Sequence, residues 1–279
     1  AFFRRQRQMC IRDRFGVVPK SIWQKTNPAD NNNMVKISAR CLLIEDENRL
    51  VLIDAGMGNK QSEKFFSYYY RWGEETLESS LKKNGFSPDD ITDVFLTHLH
   101  FDHCGGAVVR TRGGSLETGF KNAKYWSNKN HWNWATAPNK RESASFLKEN
   151  ILPIEESGQL YYLEKDIKNY LTKSDLGFDV LLVDGHTEKQ MIPIVNYKGQ
   201  KIAFAADLVP THGHVPLPYI PGYDIRPLIS LKEKELFLNY CCENNVFLFF
   251  EHDANVELCS LKKTDRGVRL NEKLTVLDL

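Results

Sequence analysis

The run HLHFDH, at 98–103, constrains this chain more than any other feature, because it follows an apolar segment that is typical of a buried strand. On an extended segment alternate side chains share one face, so His98 and His100 can bind one cation. Asp102 and His103, in the turn that follows, can reach a second cation. Imidazole nitrogen and carboxylate oxygen are ligands that Zn²⁺ accepts, with Fe²⁺ and Mn²⁺ as chemical alternatives. The run therefore predicts half of a two-metal site rather than an accidental histidine cluster on a solvated loop.

Three more candidate ligands lie downstream, and each closes an apolar, strand-like run. His186 ends the run FDVLLVDGH, Asp207 ends KIAFAAD and His252 ends VFLFFEH. Side chains at strand ends are held in place by the backbone hydrogen bonds of the sheet, which a preorganised site requires. We therefore expect these segments and the histidine run to converge on one edge of a sheet.

The order of these motifs resembles that of the metallo-β-lactamase superfamily of metallohydrolases: HxHxDH, a glycine–histidine pair, an aspartate after an apolar strand and a late histidine. The resemblance covers about Phe15 to the C-terminus and implies a single hydrolase domain over 15–279. It also implies an α/β fold, an αββα four-layer sandwich of two mixed β-sheets flanked by helices. The predicted elements, runs of strands broken by single helices, suit that sandwich.

The apolar periodicity predicts the individual elements. Helices are predicted at 74–84, 128–135, 140–150 and 231–243, and strands at 35–45, 49–54, 91–97, 123–127, 159–163, 178–184, 190–196, 200–206 and 246–251, with short strands after 255.

The resemblance also implies how two cations divide the candidate ligands. Carried over motif by motif, the first cation is held by His98, His100 and His186, the second by Asp102, His103 and His252, and Asp207 bridges both. The run LVLIDAGMG, with Asp54 before Gly56, resembles the family's DTG turn near the metals, with Ala55 in place of the usual threonine. We therefore expect Asp54 to contact and orient the ligands.

The chemistry implied by the resemblance is metal-dependent hydrolysis, with two Zn²⁺ ions as the expected cofactor and Fe²⁺ or Mn²⁺ as alternatives. A hydroxide that bridges the two cations would be the nucleophile, since even one Zn²⁺ lowers the pKa of water to about 7. One cation would polarise the carbonyl or phosphoryl oxygen of the substrate while the other stabilises the leaving group. We assign catalytic roles to Asp102, Asp207 and His212, and no serine, cysteine or lysine nucleophile is required.

Within the superfamily, the runs LTHLHFDHCGG and ADLVPTHGH resemble those of quorum-quenching N-acyl-homoserine lactone lactonases and related organophosphate hydrolases. The expected substrate is therefore a small-molecule ester or lactone, such as an N-acyl-homoserine lactone. Hydrolysis of a β-lactam, a thioester or a phosphoester is the alternative. One subgroup of lactonases places a tyrosine three residues after the bridging aspartate to hold the substrate carbonyl, whereas here that position is Pro210.

Two other classes of protein fit the sequence less well. Superfamily members with a di-iron redox centre usually have an acidic residue in place of the second histidine and a fused flavin domain, whereas this chain has His100 and no room for such a domain. A nucleic-acid processing enzyme is expected to have a basic surface, but the formal net charge is +1. We expect a small-molecule substrate and neither a nucleic acid nor a membrane as partner. A homodimer is compatible with the sequence.

Two segments offer candidates for a substrate pocket. His212 and His214 follow the bridging aspartate closely and could donate hydrogen bonds or carry protons, with Tyr223 in the same segment; alternatively, this is a structural polar loop. Trp132 and Trp134 lie in an aromatic insertion that could form an apolar lid over the metals, or could simply pack helices onto the sheet.

The first fourteen residues, AFFRRQRQMCIRDR, are dense in arginine and show no apolar period. We interpret residues 1–14 as a non-native or disordered basic head, the alternative being an arm that binds nucleic acid. If the head is not native, the native start and any signal peptide lie outside this sequence.

The cysteines and the hydropathy bear on the cellular compartment. The six cysteines form no CxxC pair, which favours reduced core residues over a disulfide framework. No segment approaches the ~20 apolar residues of a membrane span. We therefore expect a soluble protein of the reducing cytoplasm.

Overall fold

The computed structural model of the protein describes residues 2–10, 14–163 and 171–279, with side chains from residue 14 onward. Contacts between Cα atoms divide the chain into two compact units. The first unit comprises 1–5 and 39–166, and the second comprises 6–38 and 167–279. That residues 15–279 act as one domain stays a prediction.

The strands of the described residues form two mixed sheets and one small hairpin. They are β1 (Phe2–Cys10), β2 (Met34–Asp46), β3 (Arg49–Ile53), β4 (Asp93–Phe95), β5 (Val108–Arg110), β6 (Leu116–Thr118), β7 (Lys124–Ser127), β8 (Leu160–Tyr162), β9 (Thr172–Lys173), β10 (Asp179–Val183), β11 (Gln190–Tyr197), β12 (Gln200–Phe204), β13 (Val246–Phe249), β14 (Leu258–Thr264) and β15 (Gly267–Leu274). The first sheet has the order β1-β2-β3-β4-β7-β8, the second has the order β15-β14-β13-β12-β11-β10-β9, and β5 pairs with β6. Parallel and antiparallel pairs occur in both large sheets, as predicted.

The helices are mostly short. They are α1 (Lys20–Trp23), α2 (Glu63–Ser67), α3 (Leu77–Lys83), α4 (Phe101–Cys104), α5 (Lys129–Thr136), α6 (Lys148–Glu156) and α7 (Pro227–Glu243). None of these helices in the described ranges is long and apolar enough to cross a membrane.

In the first unit, two parallel strands bring the histidine run to the edge of the sheet. Strands β3 and β4 pair with Ile53 opposite Phe95, so their C-terminal ends lie side by side. Asp54 directly follows β3, and its N–H donates to the carbonyl of Phe95 at 2.9 Å. Thr97 and His98 follow β4 at the same edge. The buried strand residues of this sheet pack in one hydrophobic core with α3, α5 and α6 beside them.

In the second unit, three strand ends carry the downstream candidate ligands. Strands β12 and β13 are parallel, with Phe204 opposite Phe249, and β10 runs the same way because it is separated from β12 by one antiparallel strand. His186, Asp207 and His252 each lie three residues beyond the end of β10, β12 and β13, respectively. The prediction that these ligands follow strands is confirmed. The expectation of one common sheet edge is wrong, because β4 belongs to the other sheet.

Two predicted helices differ in extent for local reasons. The helix predicted at 74–84 begins only after Thr76, because Thr76 and Ser79 form a reciprocal capping box. The helix predicted at 140–150 is instead α6, because the side chain of Asn139 accepts hydrogen bonds from the backbone at Arg141 and Glu142 and holds that segment in a turn.

Two parts of the basic head are described in the structure. Residues 2–10 form β1, at the edge of the first sheet beside β2. Arg14 is buried, and its carbonyl lies 2.8 Å from Nε2 of His214. That residues 1–14 are a non-native or disordered basic head stays a prediction, and residues 1 and 11–13 lie outside the described ranges.

The described cysteines carry free thiols, as expected from the sequence. They are Cys41, Cys104, Cys241, Cys242 and Cys259.

Candidate functional site

In the first unit, hydrogen bonds fix which nitrogen of His98 carries the proton. The hydroxyl of Thr97 donates to Oδ2 of Asp54 at 2.7 Å. The hydroxyl oxygen, Oγ1 of Thr97, therefore accepts from Nδ1 of His98 at 3.1 Å. The Nε2 atom of His98 is therefore left with a lone pair, and it lies 3.1 Å from Nδ1 of His100. Two imidazole nitrogens thus meet at the position that the sequence assigns to the first cation.

His100 is oriented from its other side by Glu142. Oε1 of Glu142 lies 3.5 Å from Nε2 of His100, while Oε2 accepts hydrogen bonds from Trp134 and Asn139. Nδ1 is thereby turned toward His98. The sequence gives no signal for Glu142, because it lies in a turn between helices rather than at a strand end.

Asp54 contacts the ligands as expected. Its carboxylate accepts from the backbone N–H of Thr97 at 2.7 Å and from Nδ1 of His103 at 2.9 Å. The side chain is fully buried, and its φ of 56° places it in the left-handed region that favours small polar residues and glycine. His103 therefore presents Nε2, which lies 3.5 Å from Oδ2 of Asp102.

His131 holds the backbone between the two histidines of the run. Its Nε2 accepts a hydrogen bond of 2.9 Å from the N–H of Leu99. The N-terminal cap of α5, Asn128, accepts from the N–H of His131 at 2.8 Å, so the imidazole is fixed at the start of a helix. His131 is thus a positioning residue for the histidine run.

In the second unit, the carboxylate of Asp207 lies between two imidazoles. Oδ2 of Asp207 lies 3.2 Å from Nε2 of His186, and Oδ1 lies 3.0 Å from Nε2 of His252. Each histidine therefore meets a different oxygen of the same carboxylate. This is the arrangement that a carboxylate bridging two cations requires.

Each of the two imidazoles that flank Asp207 has a hydrogen-bond acceptor at its Nδ1 atom. Nδ1 of His186 donates to Oδ1 of Asp224 at 3.0 Å, and Nδ1 of His252 donates to the carbonyl of Ser38 at 2.9 Å. The ring of Tyr223, a predicted pocket residue, packs edge-on against His186 with centroids 5.4 Å apart. Both Nε2 atoms consequently keep a lone pair toward Asp207.

The donor pairs in each unit have the spacing expected for ligands of a divalent cation. Zn²⁺–nitrogen distances of about 2.0–2.1 Å in a tetrahedron place neighbouring donor atoms about 3.3 Å apart. The four donor pairs described above, two in each unit, are 3.0–3.5 Å apart. All seven candidate ligands are buried, and buried imidazole and carboxylate groups with lone pairs turned toward one another fit Zn²⁺ or a similar ion.

The two histidines after Asp207 have different surroundings. His214 is fully buried: Thr211 Oγ1 lies 2.8 Å from its Nδ1, the carbonyl of Arg14 contacts its Nε2, and Phe15 stacks on its ring. Burial lowers the pKa of His214 well below its usual value. These contacts favour the structural interpretation of His214 over a place in a substrate pocket.

His212 instead pairs with Asp253 and lines a cavity. Its Nδ1 lies 2.5 Å from Oδ2 of Asp253, which also accepts from the backbone N–H of His212. Burial disfavours the charge of Asp253, but the hydrogen bonds from His212 and from the backbone outweigh it and lower the pKa of this carboxyl group. The catalytic role of His212 stays a prediction.

The tryptophans of the aromatic insertion lie in the core of the first unit. Trp132 is only 3% exposed and belongs to the main hydrophobic cluster, against which Trp134 also packs. This placement favours the packing interpretation over a lid.

An aromatic cluster that sequence reasoning missed lies beside the ligands. Phe101, between His100 and Asp102 in the chain, packs with Phe65 and Tyr69 of the α2 segment at centroid distances of 5.4 and 5.0 Å. The run FFSYYYRW could have indicated this cluster, because it is rich in aromatic residues although it shows no helical or strand periodicity.

Comparison with known proteins gives a family and a partial lactonase match. A family model described as the metallo-beta-lactamase superfamily matches residues 37–239. An N-acyl homoserine lactonase of Bacillus cereus is 31% identical over 84 residues, which are 26% of this chain and 34% of the lactonase. The match thus spans about a third of the length of the curated relatives.

Two solved structures resemble the whole chain. A probable metal-dependent hydrolase from Staphylococcus aureus has a TM-score of 0.85 and 27% identity, covering 99% of this chain and 97% of that chain. The dizinc quorum-quenching lactonase AidC has a TM-score of 0.77 and 20% identity, covering 99% and 94%. These similarities confirm the predicted fold.

Proposed function

Because this chain belongs to the metallo-beta-lactamase superfamily, we propose that it is a metal-dependent hydrolase that uses two Zn²⁺ ions to cleave a small-molecule carboxylic ester or lactone. The observation that carries the proposal is the position of Asp207, whose two carboxylate oxygens each meet the Nε2 atom of a different buried histidine. A buried carboxylate arranged in this way is suited to bridge two cations.

The proposed ligand sets follow the family resemblance. His98, His100 and His186 hold one cation, Asp102, His103 and His252 hold the other, and Asp207 is shared. The two donor pairs in the first unit support this division, since His98 lies beside His100 and Asp102 lies beside His103. When bound, two such cations supply a nucleophile from water near neutral pH and polarise the bond to be cleaved.

The protein's own contribution is to fix the ligands before the cations arrive. Protein acceptors hold the Nδ1 protons of His98, His103, His186 and His252, so each ring presents Nε2 without reorganisation. His100 presents Nδ1 instead, because Glu142 lies on its Nε2 side. A preorganised set of lone pairs lowers the cost of binding charge in a buried site.

The cluster of Phe65, Tyr69 and Phe101 supports an acyl substrate. Its rings lie beside the ligands in the first unit and offer apolar surface to an acyl chain. The partial identity to N-acyl homoserine lactonases agrees with such a substrate. We propose an N-acyl-homoserine lactone or a related lactone.

The experiment is a substrate screen on protein whose metal content has been counted. We expect release of acid from acyl-homoserine lactones and simple aryl esters. Tyr69→Ala should raise KM for long acyl chains several-fold, since it removes apolar contact area. Tyr68→Ala, an exposed neighbour, is the matched control. Turnover confined to a β-lactam, a thioester or a phosphotriester would contradict the proposed substrate class.

A further inference from the structure

The second unit carries a cavity whose lining is cationic. It has a volume of about 720 Å³, within the size range of small-molecule sites. Lys25, Arg269 and Lys273 all line it, and no aspartate or glutamate is found among its described lining residues. The side chains that face this space therefore favour an anion over a cation.

The rest of the lining is partly apolar. Ile22, Tyr219 and Leu270 contribute hydrocarbon and aromatic surface to the same cavity. Ile22 is 46% exposed, which leaves area for an apolar ligand to cover. A ligand with a charged head and an apolar tail would match both parts of the lining.

One wall of the cavity is held in place from inside the fold. Nζ of the buried Lys234 donates to the carbonyls of Pro216 and Tyr219, both at 2.9 Å. Phe15 packs edge-on against the ring of Tyr219 with centroids 6.4 Å apart. This wall therefore exists before any ligand binds, which reduces the entropic cost of binding.

His212 adds a polar group to the lining. Its Nδ1 side is occupied by Asp253, so Nε2 is the atom that remains for a ligand in the cavity. Burial lowers the pKa of Lys234, and electrostatic repulsion from Arg269 lowers it further. The positive charge of Arg269 therefore acts on the interior of the unit as well as on the cavity.

We propose that this cavity binds a small organic anion, with a carboxylate or phosphate head near Arg269, Lys273 and Lys25 and an apolar tail against Ile22 and Leu270. The proposal does not depend on the hydrolytic function, since none of these residues is a proposed metal ligand. Binding of the head would offset the mutual repulsion of three like charges.

Isothermal titration of the metal-loaded protein tests the proposal. The probes are octanoate and octyl phosphate, which separate the two head groups, and the neutral octanamide, which has the same tail. The test variant is Arg269→Gln with Lys273→Gln. The matched control is Lys262→Gln with Lys263→Gln, which removes the same charge from exposed positions of neighbouring strand β14.

We expect at least one of the two anions to bind the wild type and the control variant equally, and at least about tenfold more weakly to the test variant. Hydrolytic turnover should be unchanged in the test variant, so failure of this proposal is distinguishable from failure of the proposed function. The proposal is overturned if neither anion binds, if octanamide binds as tightly as the anions, or if both variants lose affinity equally.

Discussion

The Nδ1 atom of His186 lies 3.0 Å from Oδ1 of Asp224, a residue 38 positions away in the sequence. In the first unit, Nδ1 of His103 and Oδ2 of Asp54 form the same kind of pair at 2.9 Å. A carboxylate behind a ligand histidine fixes the tautomer and raises the basicity of the nitrogen that binds metal. In each of these two pairs, the histidine and its carboxylate partner belong to the same unit.

Asp224→Asn should weaken metal binding at the site that contains His186. An amide keeps the size of the side chain but loses the charge that favours a proton on Nδ1, and losing such a partner typically lowers metal affinity by about 10–100-fold. Competition with a chromophoric chelator measures the affinity. Asp265→Asn, in the exposed turn between β14 and β15, is the control. Equal affinities for the wild type and Asp224→Asn would contradict the orienting role.

Asp54→Ala should destabilise the protein even when no metal is bound. It leaves the N–H of Thr97 and Nδ1 of His103 without their buried acceptor and puts alanine at a positive φ. Buried donors left unpaired cost about 1–3 kcal/mol each. Urea denaturation of the chelator-treated protein should show a loss of at least about 2 kcal/mol, compared with no more than ~0.5 kcal/mol for the exposed Asp89→Ala. A similarly small loss of unfolding free energy in both variants would contradict a stabilising role for the hydrogen bonds of Asp54.

Lys234 should make stability depend on pH. Burial lowers its pKa to about 7, whereas an unfolded chain titrates lysine near 10.4. Between these values the unfolded state binds more protons, so the free energy of unfolding gains a contribution that rises with pH. The difference in unfolding free energy between wild type and Lys234→Met should therefore increase from pH 7 to pH 9. Lys232→Met, exposed on the same helix, should show no such trend. A pH-independent difference for Lys234→Met would contradict this assignment.

Cys104 should be unreactive although it follows a ligand directly. Burial raises the pKa of its thiol to about 12, and the sulfur donates to the carbonyl of Leu99 at 3.2 Å. Iodoacetamide at pH 8 should label the half-buried Cys242 well before Cys104 in the native protein, as read by mass spectrometry of peptides. Preferential labelling of Cys104 would mean that it is more accessible than its burial indicates.

The ligands at strand ends could be predicted because a buried strand is recognisable in the sequence as a short apolar run. His186, Asp207 and His252 close apolar runs, and each occupies the same offset from a strand end. Their partners could not be predicted in the same way. Asp224 and Ser38 lie far from the ligands in sequence, and only folding brings the carbonyl of Ser38 to His252.

Two features of the sequence have more than one physical interpretation. The tryptophans of the insertion are compatible with a lid and with packing, because large aromatic rings serve both roles equally well, and only burial separates the two. The sequence groups Arg14 with the basic head, because arginine is rarely buried. Here it is buried beside Tyr223, with its guanidinium over the ring at 5.6 Å.

The central claim is that Asp207 is shared by two cations, and metal counting on saturated, desalted protein tests it most directly. We predict about two Zn²⁺ per chain for the wild type, about one for His252→Ala, and less than one for Asp207→Ala, because that substitution removes a ligand from both cations. A wild-type content near one, or an Asp207→Ala variant that keeps two ions, would contradict the account.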